Sequence, residues 1–257
     1  MVDQTRRQQA IMDLVRDEDV TRVAELARRL GVSDETIRRN LKGLVEEGLL
    51  IRRHGAVGLA EAAVEAPFRR RMRANAQAKR AIAALVASKV RDGQSLMIDT
   101  GSTTAYVAQA LAIRRRLTVV TNSLEIARHL VGRNDNCVYM AGGELRADLA
   151  AAVGQEAAAF IRRFQADVAI LSVAGADPDG HFADFDLDEA RIARAMIEGS
   201  ASRLIVADHS KLGRRAPVTI CDPAEINELV TDQEPPADVA RWLDRCGLTV
   251  SWPGVDQ

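Results

Sequence analysis

Apolar residues recur along the first fifty positions with the spacing of short helices. Ile11, Leu14 and Val15 share one helical face, Val23, Leu26, Ala27 and Leu30 a second, and Ile37, Leu41, Leu44 and Val45 a third. Gly31-Val32-Ser33 separates the last two segments. Glycine accepts the left-handed conformation that ends a helix, and serine is a natural N-cap for the next one. Gly48 closes the third segment, and residues 49–57 then read as a small β-hairpin with Gly55 at its tip. From residue 95 onward the texture changes to short aliphatic runs at 95–99, 117–121, 137–141, 168–173, 204–207 and 228–231. Helical stretches at 105–111, 124–131, 155–164 and 189–199 separate several of them. Such alternation predicts a largely parallel sheet covered by helices.

The expected fold class is therefore α/β: an N-terminal winged helix-turn-helix followed by a C-terminal α/β domain. The boundaries expected are 1–58 for the first domain, 59–78 for a linker and 79–257 for the second. Residues 59–92 read as helical and polar, with a basic cluster at Arg69, Arg70, Arg71 and Arg73, and Pro67 marks the hinge.

Composition narrows the class. A chain of 257 residues with 47% hydrophobic and 28% charged residues is globular rather than disordered, and with only 4% aromatics its core is aliphatic. The formal net charge of −1 gives no global bias toward nucleic acid, so any DNA contact must rest on local charge. Cys137, Cys221 and Cys246 are widely spaced and odd in number, which fits neither a disulfide framework nor a zinc cluster. The four histidines are scattered as well, so no metal and no cofactor are expected. The first residues lack the apolar stretch of a signal peptide, and no apolar run reaches membrane-spanning length. The chain reads as cytoplasmic, with no membrane partner.

Two short helices joined by a tight glycine turn have the geometry of a helix-turn-helix. With Ile37 at the centre of the buried face, Glu35, Arg38, Arg39, Lys42 and Glu46 point away from it, and Thr36 and Asn40 lie at the flanks. The first half of a recognition helix enters the major groove, where these side chains meet base edges and phosphates. Ser33, Glu35, Thr36, Arg38, Arg39 and Lys42 are thus candidate DNA contacts. Arg52, Arg53 and His54 on the hairpin form a basic wing for phosphate contacts, which position a protein without reading sequence. The competing readings are a solvated helix face and a winged helix used for protein contacts.

In the second domain Asp99-Thr100-Gly101-Ser102-Thr103-Thr104 follows an aliphatic strand and opens a helix. Backbone N–H groups and hydroxyls at the positive end of a helix suit a phosphate; the plainer alternative is a strand-to-helix turn capped by Ser102 or Thr103. Further polar groups gather at expected strand ends, where ligands of open α/β sheets bind. These are Thr121 and Asn122, Gly142 and Gly143, Asp177, and Lys211 in Asp208-His209-Ser210-Lys211. Lys211 suits a phosphate as a flexible point charge, while Asp186 and Glu189 suit the hydroxyls of a sugar or polyol. As single residues these acids also read as surface carboxylates or helix caps.

Val23-Ala24-Glu25-Leu26-Ala27, Val32-Ser33, Thr36-Ile37-Arg38-Arg39, Leu41, Leu44, Gly48 and Arg53-His54-Gly55 together resemble the N-terminal signature of the DeoR family of repressors. The family carries Asp where Asn40 stands and a second Gly where Ala56 stands. The first change removes a charge beside Arg38 and Arg39, and bears on the operator sequence more than on the fold. The resemblance runs from about residue 5 to about residue 235. It implies a sensor domain similar in fold to ribose-5-phosphate isomerase, operator DNA as partner, a phosphorylated small-molecule effector, and a homo-oligomer, dimer or tetramer. Ala141-Gly142-Gly143-Glu144-Leu145-Arg146, Asp184-Phe185-Asp186, Glu189, Arg191 and the 208–211 segment are most similar to the family's glycerol-3-phosphate-responsive branch, which implies glycerol 3-phosphate as inducer. The alternatives are a repressor sensing a different phosphosugar and, from another class, a sugar-phosphate isomerase with an added domain, Glu189 as its base and Lys211 as its phosphate anchor.

Overall fold

The computed structural model describes residues 7–8, 10–12, 14–15, 21–46, 50–53, 56–59, 66–177 and 180–254. It divides the chain into two units, Met1–Arg70 and Arg71–Gln257.

In the first unit the described residues between 7 and 15 are helical. They are followed by β1 (Thr21–Arg22), α1 (Val23–Leu30), α2 (Asp34–Glu46), β2 (Leu50–Arg53) and β3 (Ala56–Leu59). The strands form one antiparallel sheet in the order β1-β3-β2. Gly31 ends α1 with φ 64°, and its N–H bonds to Ala27 O. Ser33 Oγ then accepts the N–H of Thr36 at 3.3 Å, which caps α2. The three apolar stripes converge: Ile11, Val15, Leu26, Ile37, Leu41 and Leu44 pack with Leu50 and Val57 of the hairpin.

Two expectations change here. Strand β1 had no sequence signal, because a two-residue strand shows no period. Asn40, expected at a flank, is buried, and its Nδ2 donates to Thr36 O at 2.7 Å while its Oδ1 has no partner among the described residues. It lies about 60° from Ile37 around the helix, so the buried arc of α2 is wider than its aliphatic stripe. The hairpin itself pairs Arg53 with Ala56, and its expected tip, His54-Gly55, lies outside the described residues.

The second unit opens with the end of α3 (Phe68–Arg73), then α4 (Ala76–Lys89), β4 (Ser95–Ile98), α5 (Ser102–Leu111), β5 (Thr118–Thr121), α6 (Leu124–Leu130) and β6 (Cys137–Met140). After β7 (Glu144–Arg146) and β8 (Ala151–Val153) come α7 (Gln155–Ile161), β9 (Ala166–Ser172), β10 (Gly175–Ala176), β11 (Phe182–Asp184), α8 (Leu187–Glu198) and β12 (Ser200–Val206). The chain continues through β13 (Val218–Cys221), β14 (Glu228–Val230), α9 (Ala237–Arg245) and β15 (Thr249–Ser251). Seven strands form a parallel sheet in the order β15-β14-β12-β9-β4-β5-β6.

Alternation along each strand explains why both faces are covered. Leu96 and Ile98 of β4, Ile170 of β9 and Leu204 and Val206 of β12 face α4, α5 and α6. Met97, Ala169, Leu171 and Ile205 face the opposite layer, built from α7, α8 and α9. Each such fully buried Leu or Ile contributes ~1.5–3 kcal/mol relative to exposure.

Helix α4 corrects the expectation of a polar segment over 59–92: it buries Lys79, Ile82, Ala83, Val86 and Ala87. The small ribbons β7-β8 and β10-β11-β13 are too short for any periodicity to reveal. Among the described residues no helix is long and apolar enough to cross a membrane.

Strand order fixes where a ligand can sit. The chain runs outward from β4 through β5 to β6, then returns to the other side of β4 with β9 and continues outward through β12, β14 and β15. The order therefore reverses between β4 and β9, and in open α/β sheets the crevice beyond the strand ends at such a reversal is the binding site.

Candidate functional site

The exposed face of α2 carries Glu35, Arg38, Arg39 and Lys42; Glu35, Arg39 and Lys42 lie opposite Ile37, while Arg38 lies about 100° from it around the helix. Ser33 and Thr36 are already committed locally, their hydroxyls lying 2.9 Å apart at the start of the helix. On the preceding helix, Glu25 binds Arg28 and Arg29 at 2.6 Å each. Those hydrogen bonds lower the Glu25 pKa to about 2. The arginines of α1 are thus tied down by one carboxylate, whereas Arg38 and Arg39 stand exposed on α2. Arg52 and Arg53 lie on β2, and His54 is outside the described residues.

At the reversal point β4 is followed by Asp99, which lies beside the end of β9. Both Asp99 carboxylate oxygens accept the Ser172 N–H, at 3.1 and 3.0 Å, and the Ser172 hydroxyl at 3.3 Å. Burial pushes the Asp99 carboxyl well above its ordinary range, the Ser172 hydrogen bonds oppose that shift, and the charge of Asp184 adds to it. Gly101 follows because nothing larger fits: a Cβ there would stand 2.1 Å from Ser172 Oγ and 2.8 Å from Ser172 Cβ. Helix α5 then begins at Ser102, and its first backbone acceptor bond runs from Ala105 N–H to Gly101 O at 2.9 Å. The N–H groups ahead of Ala105 have no intrahelical partner.

Neighbouring polar side chains hold this turn in place. Thr100 N–H bonds to Asn122 Oδ1 at 3.1 Å, and Asn122 Nδ2 donates to Ala152 O at 3.0 Å. Thr121 Oγ1 donates to Ile98 O at 2.6 Å, and Thr104 Oγ1 lies 3.0 Å from Asp99 O and Gly101 O. Asp99, Thr104, Thr121 and Asn122 thus make hydrogen bonds within the fold. Ser102 and Thr103 differ: they are 6% and 5% exposed, and among the described residues no hydrogen-bond partner holds either hydroxyl. Two hydroxyls on largely buried residues and a set of open amides thus meet at one helix terminus.

The remaining predicted residues spread along the same edge of the sheet. Lys211 ends a single 3₁₀ turn, His209–Lys211, beyond β12, and Asp208 caps that turn by accepting Ser210 N–H at 3.1 Å. Gly142 and Gly143 follow β6 and line a shallow depression of about 390 Å³ with Glu156, Phe160 and Arg163. Asp177 pairs with Arg215 at 3.0 Å beside β10. Asp186 is the N-cap of α8, accepting the N–H groups of Asp188 and Glu189 at 2.9 and 3.1 Å, and it also binds Arg146. Burial works to raise the Asp186 pKa, but the Arg146 bond and the cap amides outweigh it and lower it. Glu189 sits in the first turn of α8.

Ser172 was not singled out in the sequence, although a polar residue closing an aliphatic strand at the sheet's ligand edge is a usable signal. Lys79 was also passed over, and its signal is a lysine within the buried stripe Lys79, Ile82, Ala83 and Val86.

The raised Asp99 pKa carries a stability consequence. The folded state holds a proton on Asp99 over a range in which the unfolded chain has released it, so stability falls as pH rises from the ordinary aspartate value toward the folded one. Asp99→Asn keeps an acceptor for Ser172 N–H and removes the ionisation. Its stability relative to the parent is expected to increase as pH rises above the ordinary aspartate range in urea unfolding, and parallel pH profiles for the two proteins would contradict this.

A DeoR-like helix-turn-helix domain matches residues 7–63, and the DeoR C terminal sensor domain matches residues 74–233. The chain is 37% identical to the glycerol-3-phosphate regulon repressor of Escherichia coli K12, covering 93% of this chain and 95% of that protein. It is 37% identical to the Haemophilus influenzae repressor of the same name, covering 90% and 91%. It is 34% identical to the HTH-type transcriptional repressor CsqR of Escherichia coli K12, covering 97% and 96%. Among solved structures, a D-ribose-5-phosphate isomerase in complex with phospho-erythronic acid is 18% identical with a TM-score of 0.38, covering 52% of this chain and 53% of that one.

Proposed function

This chain belongs to the DeoR family of transcriptional repressors, and from that premise we propose that it binds operator DNA through α2 and is released by a phosphorylated effector, glycerol 3-phosphate. The observation that carries the effector site is the start of α5, where Ser102 and Thr103, largely buried residues, have hydroxyls without a hydrogen-bond partner among the described residues, at the reversal of strand order. Open N–H groups and the positive end of a ten-residue helix favour a phosphate, and burial strengthens each contact by excluding water. Lys211 supplies the counter-charge. Glycerol 3-phosphate is named because two relatives at 37% identity are glycerol-3-phosphate regulon repressors.

On the DNA side Arg38 and Arg39 read base edges, Lys42 and the wing residues Arg52, Arg53 and His54 contact phosphates, and Glu35 accepts from a base amine. The DNA module spans 1–58, the linker 59–78 and the sensor 79–257. The protein works in the cytoplasm as a homo-oligomer, because one small module per site gives a short footprint and two half-sites multiply affinity. Effector binding changes no bond in the effector, so the chain senses and does not turn over.

Fluorescence anisotropy on duplex DNA from upstream of the gene tests this reading. A specific, salt-sensitive complex is expected, dissociated by glycerol 3-phosphate, with Lys211→Ala binding DNA but no longer released. Release by another phosphosugar alone would discard glycerol 3-phosphate. Turnover of ribose 5-phosphate that disappears in Glu189→Gln would overturn the sensor reading in favour of an enzyme.

A further inference from the structure

Carbonyl groups of the linker between residues 71 and 74 are held by elements that also build the proposed effector site. Met72 O accepts the Tyr106 hydroxyl at 3.0 Å, and Tyr106 lies on α5, one turn beyond Ser102. Arg71 O and Ala74 O accept the Lys79 ammonium, the latter at 2.8 Å. That ammonium stands 4.0 Å from the Asp208 carboxylate, and Asp208 caps the turn carrying Lys211. Asp208 Oδ1 also accepts Asn75 Nδ2 at 3.0 Å, and Asn75 Nδ2 reaches Ser210 Oγ at 3.2 Å.

Lys79 and Asp208 are 3% and 1% exposed. A buried ion pair is a weak source of stability, since well-packed apolar residues often do as well or better, whereas its hydrogen bonds define geometry sharply. Lys79 occupies a position where α4 otherwise presents aliphatic side chains, so an apolar residue would complete the same stripe at lower desolvation cost. What an apolar residue cannot do is bind Arg71 O and Ala74 O while facing Asp208.

We propose that Lys79, Asp208, Asn75 and Tyr106 form the joint through which occupancy of the effector site reaches the linker, with Lys79 as the positioning residue. The inference rests on the functional reading above. A phosphate held at the start of α5 and by Lys211 acts on the first turn of α5 and on the 208–211 turn. Helix α5 is bonded to Met72 O through Tyr106, and the 208–211 turn to the Asn75 side chain and, through Lys79, to Arg71 O and Ala74 O; residues 71–75 follow the first unit directly along the chain. A ligand shifts an equilibrium only through bonds that differ between the two states, and this joint supplies such bonds at both ends of the site.

The test measures coupling separately from binding in the full-length chain. Glycerol 3-phosphate affinity is read by calorimetry, and operator affinity by anisotropy with and without saturating glycerol 3-phosphate. The ratio of the two operator dissociation constants is the coupling. Tyr106→Phe removes one hydroxyl and Asn75→Ala one exposed amide, so both variants keep the core, and Lys79→Met removes the charge while keeping the stem. Either binding event alone is expected to stay within about threefold of the parent in Tyr106→Phe and Asn75→Ala, while the coupling ratio falls by about fivefold or more. Lys79→Met is expected to reduce it further, and if that variant does not fold the two milder ones carry the test. Unchanged coupling in both milder variants overturns the joint. Glycerol 3-phosphate affinity lost in step with release places these residues in the binding site and also overturns it. No response to glycerol 3-phosphate in the parent overturns the functional reading itself, and with it the joint.

Discussion

Arg38→Ala is expected to weaken specific operator binding by ~1–3 kcal/mol at each half-site, roughly 5–150-fold, and to leave glycerol 3-phosphate binding untouched. The magnitude is that of a bidentate arginine-to-guanine contact. The direction follows from position: Arg38 is exposed one residue beyond Ile37, on a helix whose start is fixed by Ser33. Alanine has higher helix propensity than arginine, so α2 survives the change. In a symmetric dimer the loss occurs at both half-sites, which makes it the largest single-residue effect expected on the DNA side. Titration at several salt concentrations separates the roles. A base-reading arginine weakens binding with relaxed sequence preference, whereas Lys42→Ala, at a phosphate contact, should lower the salt slope by about 1. An Arg38→Ala protein that binds the operator like its parent would remove this helix from the interface.

Gly101→Ala should abolish release from the operator without preventing operator binding. A Cβ at this position meets Ser172 Oγ at 2.1 Å and Ser172 Cβ at 2.8 Å, and Ser172 is not the loose end of a long side chain. It is a short residue ending β9, bonded to Asp99 through both its N–H and its hydroxyl. Overpacking of this kind costs ~1–3 kcal/mol, and here relief must come from moving β4 and β9 apart or displacing the turn that opens α5. Either movement misaligns the Ser102 and Thr103 hydroxyls. Calorimetry with glycerol 3-phosphate should show no measurable binding, while urea unfolding reports a lowered midpoint for the second unit. Normal effector affinity in Gly101→Ala would show that the phosphate sits elsewhere on the sheet edge.

Legibility differed by element for physical reasons. The stripe Ile37, Leu41 and Leu44 and the aliphatic runs of β4, β5, β9 and β12 were readable because side-chain direction repeats with the backbone's own period. Strands β1, β7, β8, β10 and β11 contain two or three residues each, too few for a period to register. Helix α4 was misread as polar because Lys79 and the charged residues around it masked a buried stripe. The turn from Asp99 to Thr104 was legible as a phosphate-type loop, but its division of labour was not. Hydroxyls of one chemical kind bond backbone carbonyls at Thr104 and Thr121 and have no partner among the described residues at Ser102 and Thr103, a difference set by which carbonyl happens to lie within reach.

The sequence by itself determined which faces are apolar, where the helix-turn-helix caps fall, that Arg38, Arg39 and Lys42 face outward, and that polar loops follow the strands. Those properties follow from backbone geometry within a turn or two. Tertiary structure alone decided that β9 pairs with β4, which sets Ser172 against Asp99 across 73 positions of sequence. It also decided that Asp208 meets the 71–79 segment. Such contacts form only after long loops close, and the stabilisation arrives with the completed sheet and its two covered faces. No local pattern encodes that outcome, so the site's partners became visible only once the strand order was known.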